Sequence, residues 1–168
     1  AATSTMILAC AFDGNIEAGI EAGGIVSVSG ADDVIKNCHV TADIYTKGTA
    51  GGIVGTSDRS YVLNCYVEGT MELSDNANVV KVGGVIGAMG STLSDSVYAL
   101  VANNIVAIED IKVPIDVELY AHRIVGYSNG DSFEYDWDNL DSGGKIYNDP
   151  EKCLKNNYVV SDLAAIDT

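Results

Sequence analysis

A two-glycine block recurs along this chain, at Gly23, Gly51 and Gly83, with a degenerate copy at His122-Arg123-Ile124-Val125-Gly126. Each block is coupled to a second half of the form Ile-x-x-Cys-x-Val-x-small-x-apolar. That half reads Ile35/Cys38/Val40/Ala42/Ile44 and Val62/Cys65/Val67/Gly69/Met71 in its clearest copies. Weaker copies are Ile7/Cys10/Phe12/Gly14/Ile16, Leu93/Ser96/Tyr98/Leu100/Ala102 and Leu154/Asn157/Val159/Ser161/Leu163. The spacing of 28 residues, from Gly23 to Gly51 and from Cys10 to Cys38, signals a repeat architecture. A repeat of this length cannot bury an apolar face alone, so neighbouring copies must stack.

Within the cysteine half the period is two. Cys65, Val67, Gly69, Met71 and Leu73 alternate with Tyr66, Glu68, Thr70 and Glu72, as a strand with one buried face requires. Gly51-Gly52-Ile53-Val54-Gly55 is a short apolar run between glycines and reads as a second buried strand. Helical patterning is confined to Asp149–Lys155, where Pro150 could open one turn. These signals predict an all-β chain folded as a parallel β-solenoid, or β-helix, of about four to five coils. Right-handed winding follows the general preference of parallel β connections. The units fall at about 1–22, 23–50, 51–82, 83–121 and 122–168 of one domain, with a long insertion at 127–153. An antiparallel sandwich is the competing fold, but it would not require equivalent positions to match between copies.

The glycines let the backbone turn sharply or let neighbouring coils approach closely. Asn37, Asn64 and Asn156, each just before the cysteine position, suggest an amide ladder at a corner, interrupted by Ala9 and Asp95. Two corners vary in length. The spacings predict extra chain between Ala102 and His122 and, above all, after Gly126. Insertions in solenoids map to one face and often carry binding.

Three of the four cysteines, Cys10, Cys38 and Cys65, share one repeat position, and Cys153 lies out of register near the last copy. In a parallel stack such residues lie about 4.8 Å apart with side chains pointing the same way. That geometry favours a buried thiol ladder over bridges, so no disulfide is expected. The net charge is −15 with nine Lys and Arg, which repels nucleic acid and anionic membranes at long range. No run of apolar residues is long enough for a membrane helix. The acidity fits a secreted or surface protein; an acidic face that simply stays hydrated gives the same composition. The first copy has its cysteine half without a Gly-Gly half, which suggests flanking segments of a longer polypeptide.

The Gly-Gly-Ile-Val-Gly and Asn-Cys-Tyr-Val-Glu-Gly-Thr-Met strings resemble the GLUG motif repeat. The resemblance is good over residues 23–71, fair over 83–100, and weak over 121–126 joined to 154–163. It implies a large secreted or cell-surface bacterial protein, adhesin-like or associated with IgA-cleaving metallopeptidases, in which the repeats are non-catalytic. It supplies no catalytic residue.

The residues themselves offer little for chemistry. His39 and His122 are the only histidines, neither precedes a glutamate, and a His-Glu-x-x-His metallopeptidase site is absent. No Gly-x-Ser-x-Gly occurs. Outward positions of the regular copies, His39, Thr41, Asp43, Tyr66, Glu68 and Thr70, show no recurring carboxylate pair of the kind a carbohydrate-cleaving β-helix would use. The insertion is richer. It carries a balance of −5 between residues 127 and 152, together with the only tryptophan. Tyr135, Trp137 and Tyr147 are candidate contacts for a glycan or a host or surface protein. The alternative is that Trp137 and Tyr147 anchor the long loop to the body. Asp136, Asp138 and Asp141 place oxygens near a turn, as a calcium loop does, although the spacing departs from the EF-hand pattern. A hydrated acidic loop accounts for them equally. These features predict a non-catalytic adhesion or spacer module; a carbohydrate-binding or carbohydrate-cleaving β-helix, or an accessory region of a metallopeptidase, are the alternatives.

Overall fold

The computed structural model describes residues 4–74, 79–89, 100–114, 116–128, 145–149 and 154–160, and every regular element among them is a β-strand. A four-strand order repeats along the chain. In the first cycle a short strand β1 (Met6–Leu8) leads into a long one, β2 (Ala11–Ala18), followed by β3 (Glu21–Gly23) and β4 (Val26–Ser29). The second cycle is β5 (Val34–Lys36), β6 (His39–Thr46), β7 (Thr49–Gly51) and β8 (Val54–Ser57). The third is β9 (Tyr61–Leu63), β10 (Tyr66–Leu73), β11 (Val79–Gly83) and β12 (Ile86–Met89). A fourth follows as β13 (Leu100–Ala102), β14 (Ile105–Lys112), β15 (Glu118–His122) and β16 (Val125–Ser128). Last come β17 (Lys145–Asp149) and β18 (Leu154–Val159). The single helical turn expected over Asp149–Lys155 gives way at both ends, since Asp149 closes one strand and Leu154 opens the next.

Each strand pairs in parallel with its counterpart in the next cycle. The third and fourth strands of the cycles form two four-stranded sheets, β15-β11-β7-β3 and β16-β12-β8-β4. The short and long strands form two stacks that β18 joins into one sheet, because it pairs with both β13 and β14. On its other flank β18 carries β17 in antiparallel pairing. Gly23, Gly51, Gly83 and His122 are successive partners, as the degenerate block at His122 predicts.

The fourth copy of the cysteine half is not where its sequence suggested. Pairing sets Val101 against Val62, Val106 against Val67, Ile108 against Gly69 and Ile111 against Met71, so Asn104 takes the Cys65 position and Ser96 does not. Leu93, Ser96 and Tyr98 lie outside the described residues. Two things disguised the true register. Asparagine replaces cysteine, and a bulge between Ile108 and Asp110 adds one residue to β14. The correction also moves the extra chain expected between Ala102 and His122. β14 and β15 fill the stretch between Ala102 and His122, and the extra chain lies instead between β12 and β13. The longest connections, β12 to β13 and β16 to β18, therefore leave from equivalent places, the ends of two adjacent strands of one sheet.

Burial follows the register. Ile35, Val62, Val101 and Leu154 form one buried row, and Val40, Val67, Val106 and Val159 another. Ile44, Met71 and Ile111 continue the same faces, while Ile53, Val85 and Ile124 meet them from the glycine half. All belong to one apolar cluster. Each fully covered Ile or Val side chain contributes about 1.5–3 kcal/mol relative to exposure.

Two local devices hold the cycles at this spacing. Ala9, Asn37, Asn64 and Asn103, between short and long strands, and Asn156 at the equivalent place within β18 all adopt left-handed backbone, with φ between 53° and 57°. Asparagine tolerates that conformation better than other residues bearing a Cβ, apart from aspartate. Its amide also bonds along the stack: Asn64 Nδ2 donates to Asn37 Oδ1 at 3.3 Å and Asn103 Nδ2 to Asn64 Oδ1 at 3.2 Å. The ladder expected to break at Asp95 continues through Asn103. At the glycine pair, a Cβ on Gly52 would sit 2.2 Å from the Gly84 carbonyl oxygen and 2.5 Å from Val67 Cγ2. Only a bare backbone fits there, so the second glycine is a requirement of stacking.

A candidate ligand-facing surface

Three thiols occupy the shared repeat position. Cys10, Cys38 and Cys65 are all free, and each thiol donates to the carbonyl two residues earlier, at 3.6, 3.4 and 3.3 Å. Cys38 and Cys65 are buried, and Cys10 is exposed. Burial pushes the Cys65 thiol up to about 12, which makes it a poor nucleophile. Where the position turns to asparagine, stronger bonds replace the weak ones. Asn104 Oδ1 accepts the Cys65 amide at 2.9 Å and its Nδ2 donates to the Val62 carbonyl at 3.0 Å. Asn157 repeats this one cycle on, donating to the Val101 carbonyl at 2.8 Å. Cys38, Cys65, Asn104 and Asn157 of this row are buried packing positions. Cys153 lies outside the described residues.

The outward face of β2, β6, β10 and β14 is polar in an ordered way. Register sets Asp13, Thr41 and Glu68 in one row, Asp43, Thr70 and Asp110 in another, and Glu17, Tyr45 and Glu72 in a third. In each row a hydroxyl separates two carboxylates, which reduces like-charge repulsion between neighbouring strands. Glu68 is the best held. Thr41 donates to one of its oxygens at 2.9 Å and the Tyr66 hydroxyl to the other at 2.5 Å. The Tyr66 bond is the main reason the Glu68 carboxyl lies below its usual range and the Tyr66 phenol above its own. The His39 ring meets Tyr66 edge-on at 4.8 Å, and Thr70 donates to Asp43 at 2.7 Å. Lys112 reaches Glu72 at 4.0 Å and Asp110 at 3.9 Å, but these exposed pairs add little.

Asn15, Glu17, Asp43, Tyr45, Thr70 and Glu72 line a shallow open groove on this face. It offers many acceptors, a few hydroxyls and one aromatic ring. Among the described residues no group of three or more His, Cys, Asp or Glu is arranged to hold a metal ion. A second cluster lies on the two glycine-half sheets. Lys81 Nζ sits 4.1 Å over the Tyr127 ring, Tyr120 meets Tyr127 at 4.9 Å, and the Tyr120 hydroxyl donates to Glu118. That last bond pushes the Tyr120 phenol above its ordinary value.

Of the residues singled out from the sequence, Tyr135, Asp136, Trp137, Asp138 and Asp141 lie outside the described residues. The backbone of Tyr147 belongs to β17, opposite Asn157 of β18. Tyr45, Tyr120 and Tyr127 were not anticipated, because their grouping depends on register rather than on local composition. No helix among the described residues is long and apolar enough to cross a membrane. Comparison with protein-family models, curated proteins and solved structures gave no match.

Proposed function

We propose that the chain is a β-solenoid of about four to five coils serving as a non-catalytic repeat module, an adhesion or spacer segment of a secreted or cell-surface bacterial protein of the GLUG type. The observation that carries this reading is the in-register parallel pairing of each strand with its counterpart one cycle later. A translational stack of this kind separates a conserved interior task from free outer faces and connections. In this reading recognition belongs to the long connections that leave the same corner, including the segment holding Tyr135, Trp137 and the Asp136, Asp138 and Asp141 carboxylates. A glycan or a host or surface protein is the partner class, and calcium would be a structural ligand of that loop. The test is binding to a glycan array and to candidate host-surface proteins by the intact chain and by Trp137→Ala. Binding lost in the variant supports the reading, and cleavage of any polysaccharide by the chain alone contradicts it.

A second reading, a carbohydrate-binding β-helix, draws on the groove around Tyr45, where carboxylates and hydroxyls alternate beside an aromatic ring. Sugar hydroxyls bond to such acceptors and sugar faces stack on such rings. Glycan binding that survives Trp137→Ala but is lost in Tyr45→Ala would select it. An accessory role beside a metallopeptidase predicts neither.

A further inference from the structure

We propose that the open side of the first cycle is a docking face for another strand cycle of the same repeat type. This inference rests on the repeat-module reading and adds a partner to it. Several apolar inward positions that are covered in the later cycles are less covered in the first, although Ala22 and Ser29 stay buried at 1% and 2%. Phe12 and Ile16 are only partly buried, whereas their partners Val40 and Ile44 are 0% and 2% exposed. Ile7, Ile25 and Val26 differ from Ile35, Ile53 and Val54 in the same way. Cys10 is exposed where Cys38 and Cys65 are buried. Met6, Leu8, Ile20 and Val28, all from this cycle, are exposed at 67%, 47%, 74% and 60%. Since β1, β2, β3 and β4 are each terminal in their stacks, one edge of each has no partner strand among the described residues.

The occupant is defined by the other side of the same cycle. There β5, β6, β7 and β8 already cover these strands in parallel register. A face generated by translation is complemented by the same translation, so a further cycle fits where a generic apolar surface would not. The outward row adds charge selection. On the covered side Asp13 faces Thr41 and Glu17 faces Tyr45, hydroxyl against carboxylate. The occupant therefore carries hydroxyl or basic side chains at those two positions. A second copy of this chain fits poorly. An antiparallel pairing of β2 with its own copy about Asn15 would set Asp13 against Glu17. Among the described residues the far end differs in burial: β15 and β16 are also terminal in their sheets, but Val106, Ile111, Ile124 and Val125 are buried, and β17 pairs with β18.

The experiment inserts a copy of residues 34–60 directly before Met6 of the full chain. In that copy Thr41 and Tyr45 fall opposite Asp13 and Glu17. Iodoacetamide labelling of Cys10 is then followed by peptide mass spectrometry, with hydrogen exchange of the β2 amides alongside. The expected result is a loss of Cys10 labelling rate by about tenfold or more, with slowed β2 exchange, as protection by a folded neighbour requires. A version whose inserted copy carries Asp in place of its Val40 and Ile44 equivalents should label like the parent. Unchanged Cys10 labelling in an extended protein whose parent shows β-rich circular dichroism would overturn the docking face alone. A parent without β-rich dichroism would overturn the repeat reading beneath it. A parent that dimerises in sedimentation, with Cys10 protection rising with concentration, would contradict the assigned occupant and name a second copy instead.

Discussion

The first cycle and the second are built to one pattern, residue for residue, and yet they are not equally covered. Phe12, Gly14 and Ile16 match Val40, Ala42 and Ile44 in register, but the first set is partly exposed and the second is 0%, 4% and 2% exposed. The strand sequences do not explain the difference, since both alternate with the same period. The neighbours do: among the described residues β6 is flanked by β2 and β10, while β2 has β6 alone. In a stacked fold burial is a property of the pair of cycles around a residue, so stability accrues through interfaces between repeats.

Overpacking the interior should have the largest effect. Gly52→Val places a side chain against the Gly84 carbonyl and Val67, and we expect a loss of about 3 kcal/mol or more in denaturant unfolding. Next comes the direct comparison of the two cycles. Ile44→Ala should cost about 2–5 kcal/mol, as for other covered isoleucines, and Ile16→Ala clearly less. Equal losses at the two sites would break the claim that β2 lacks a second neighbour. Asn104→Ala strips partners from the Cys65 amide and the Val62 carbonyl, with an expected cost of about 1–3 kcal/mol by chemical denaturation. Asn104→Cys, which restores the residue of the earlier cycles, should cost less than alanine.

Much of this organisation was legible before any coordinates. The alternation from Cys65 to Leu73, the second strand at the glycine block and the match of His122 to Gly83 follow from residue types at fixed spacing. The fourth cycle was not legible, for a physical reason. A buried position accepts cysteine with weak bonds or asparagine with strong ones, so burial is conserved while residue type is not. Without that anchor Ser96 matches the pattern as well as Asn104 does, which displaces the extra chain from the β12–β13 connection to the stretch between Ala102 and His122. Surface groups such as Tyr120, Tyr127 and Lys81 were invisible for another reason. They come together only once the register between cycles is known. Residue type singles out Tyr135, Trp137 and Tyr147, and local spacing singles out Asp136, Asp138 and Asp141; five of these six lie outside the described residues.

The smallest expected effect lies on the outer face. Glu68 has its carboxyl held low, chiefly by the Tyr66 hydroxyl and then by Thr41. A depressed carboxyl contributes stability that is present above the ordinary carboxylate range and lost as pH falls through its lowered value. Tyr66→Phe should raise the Glu68 titration midpoint toward its ordinary value, followed by side-chain carboxyl NMR, and should flatten the acid limb of the stability profile. The Tyr66 phenol, raised mainly by the same bond, has the opposite sense: its contribution is present below the ordinary phenol range and lost as pH rises through its raised value. Because both groups are solvent-accessible, the change in global stability should be slight.

The central claim is that successive cycles pair in parallel at one fixed register. It is tested most directly by NMR couplings across hydrogen bonds in the labelled chain. The account predicts scalar couplings from the His39 amide to the Cys10 carbonyl, from Tyr66 to Cys38 and from Ile105 to Cys65, bonds of 2.9, 2.9 and 2.8 Å. A coupling of Ile105 to any carbonyl other than that of Cys65, or an antiparallel pattern among the long strands, would contradict it.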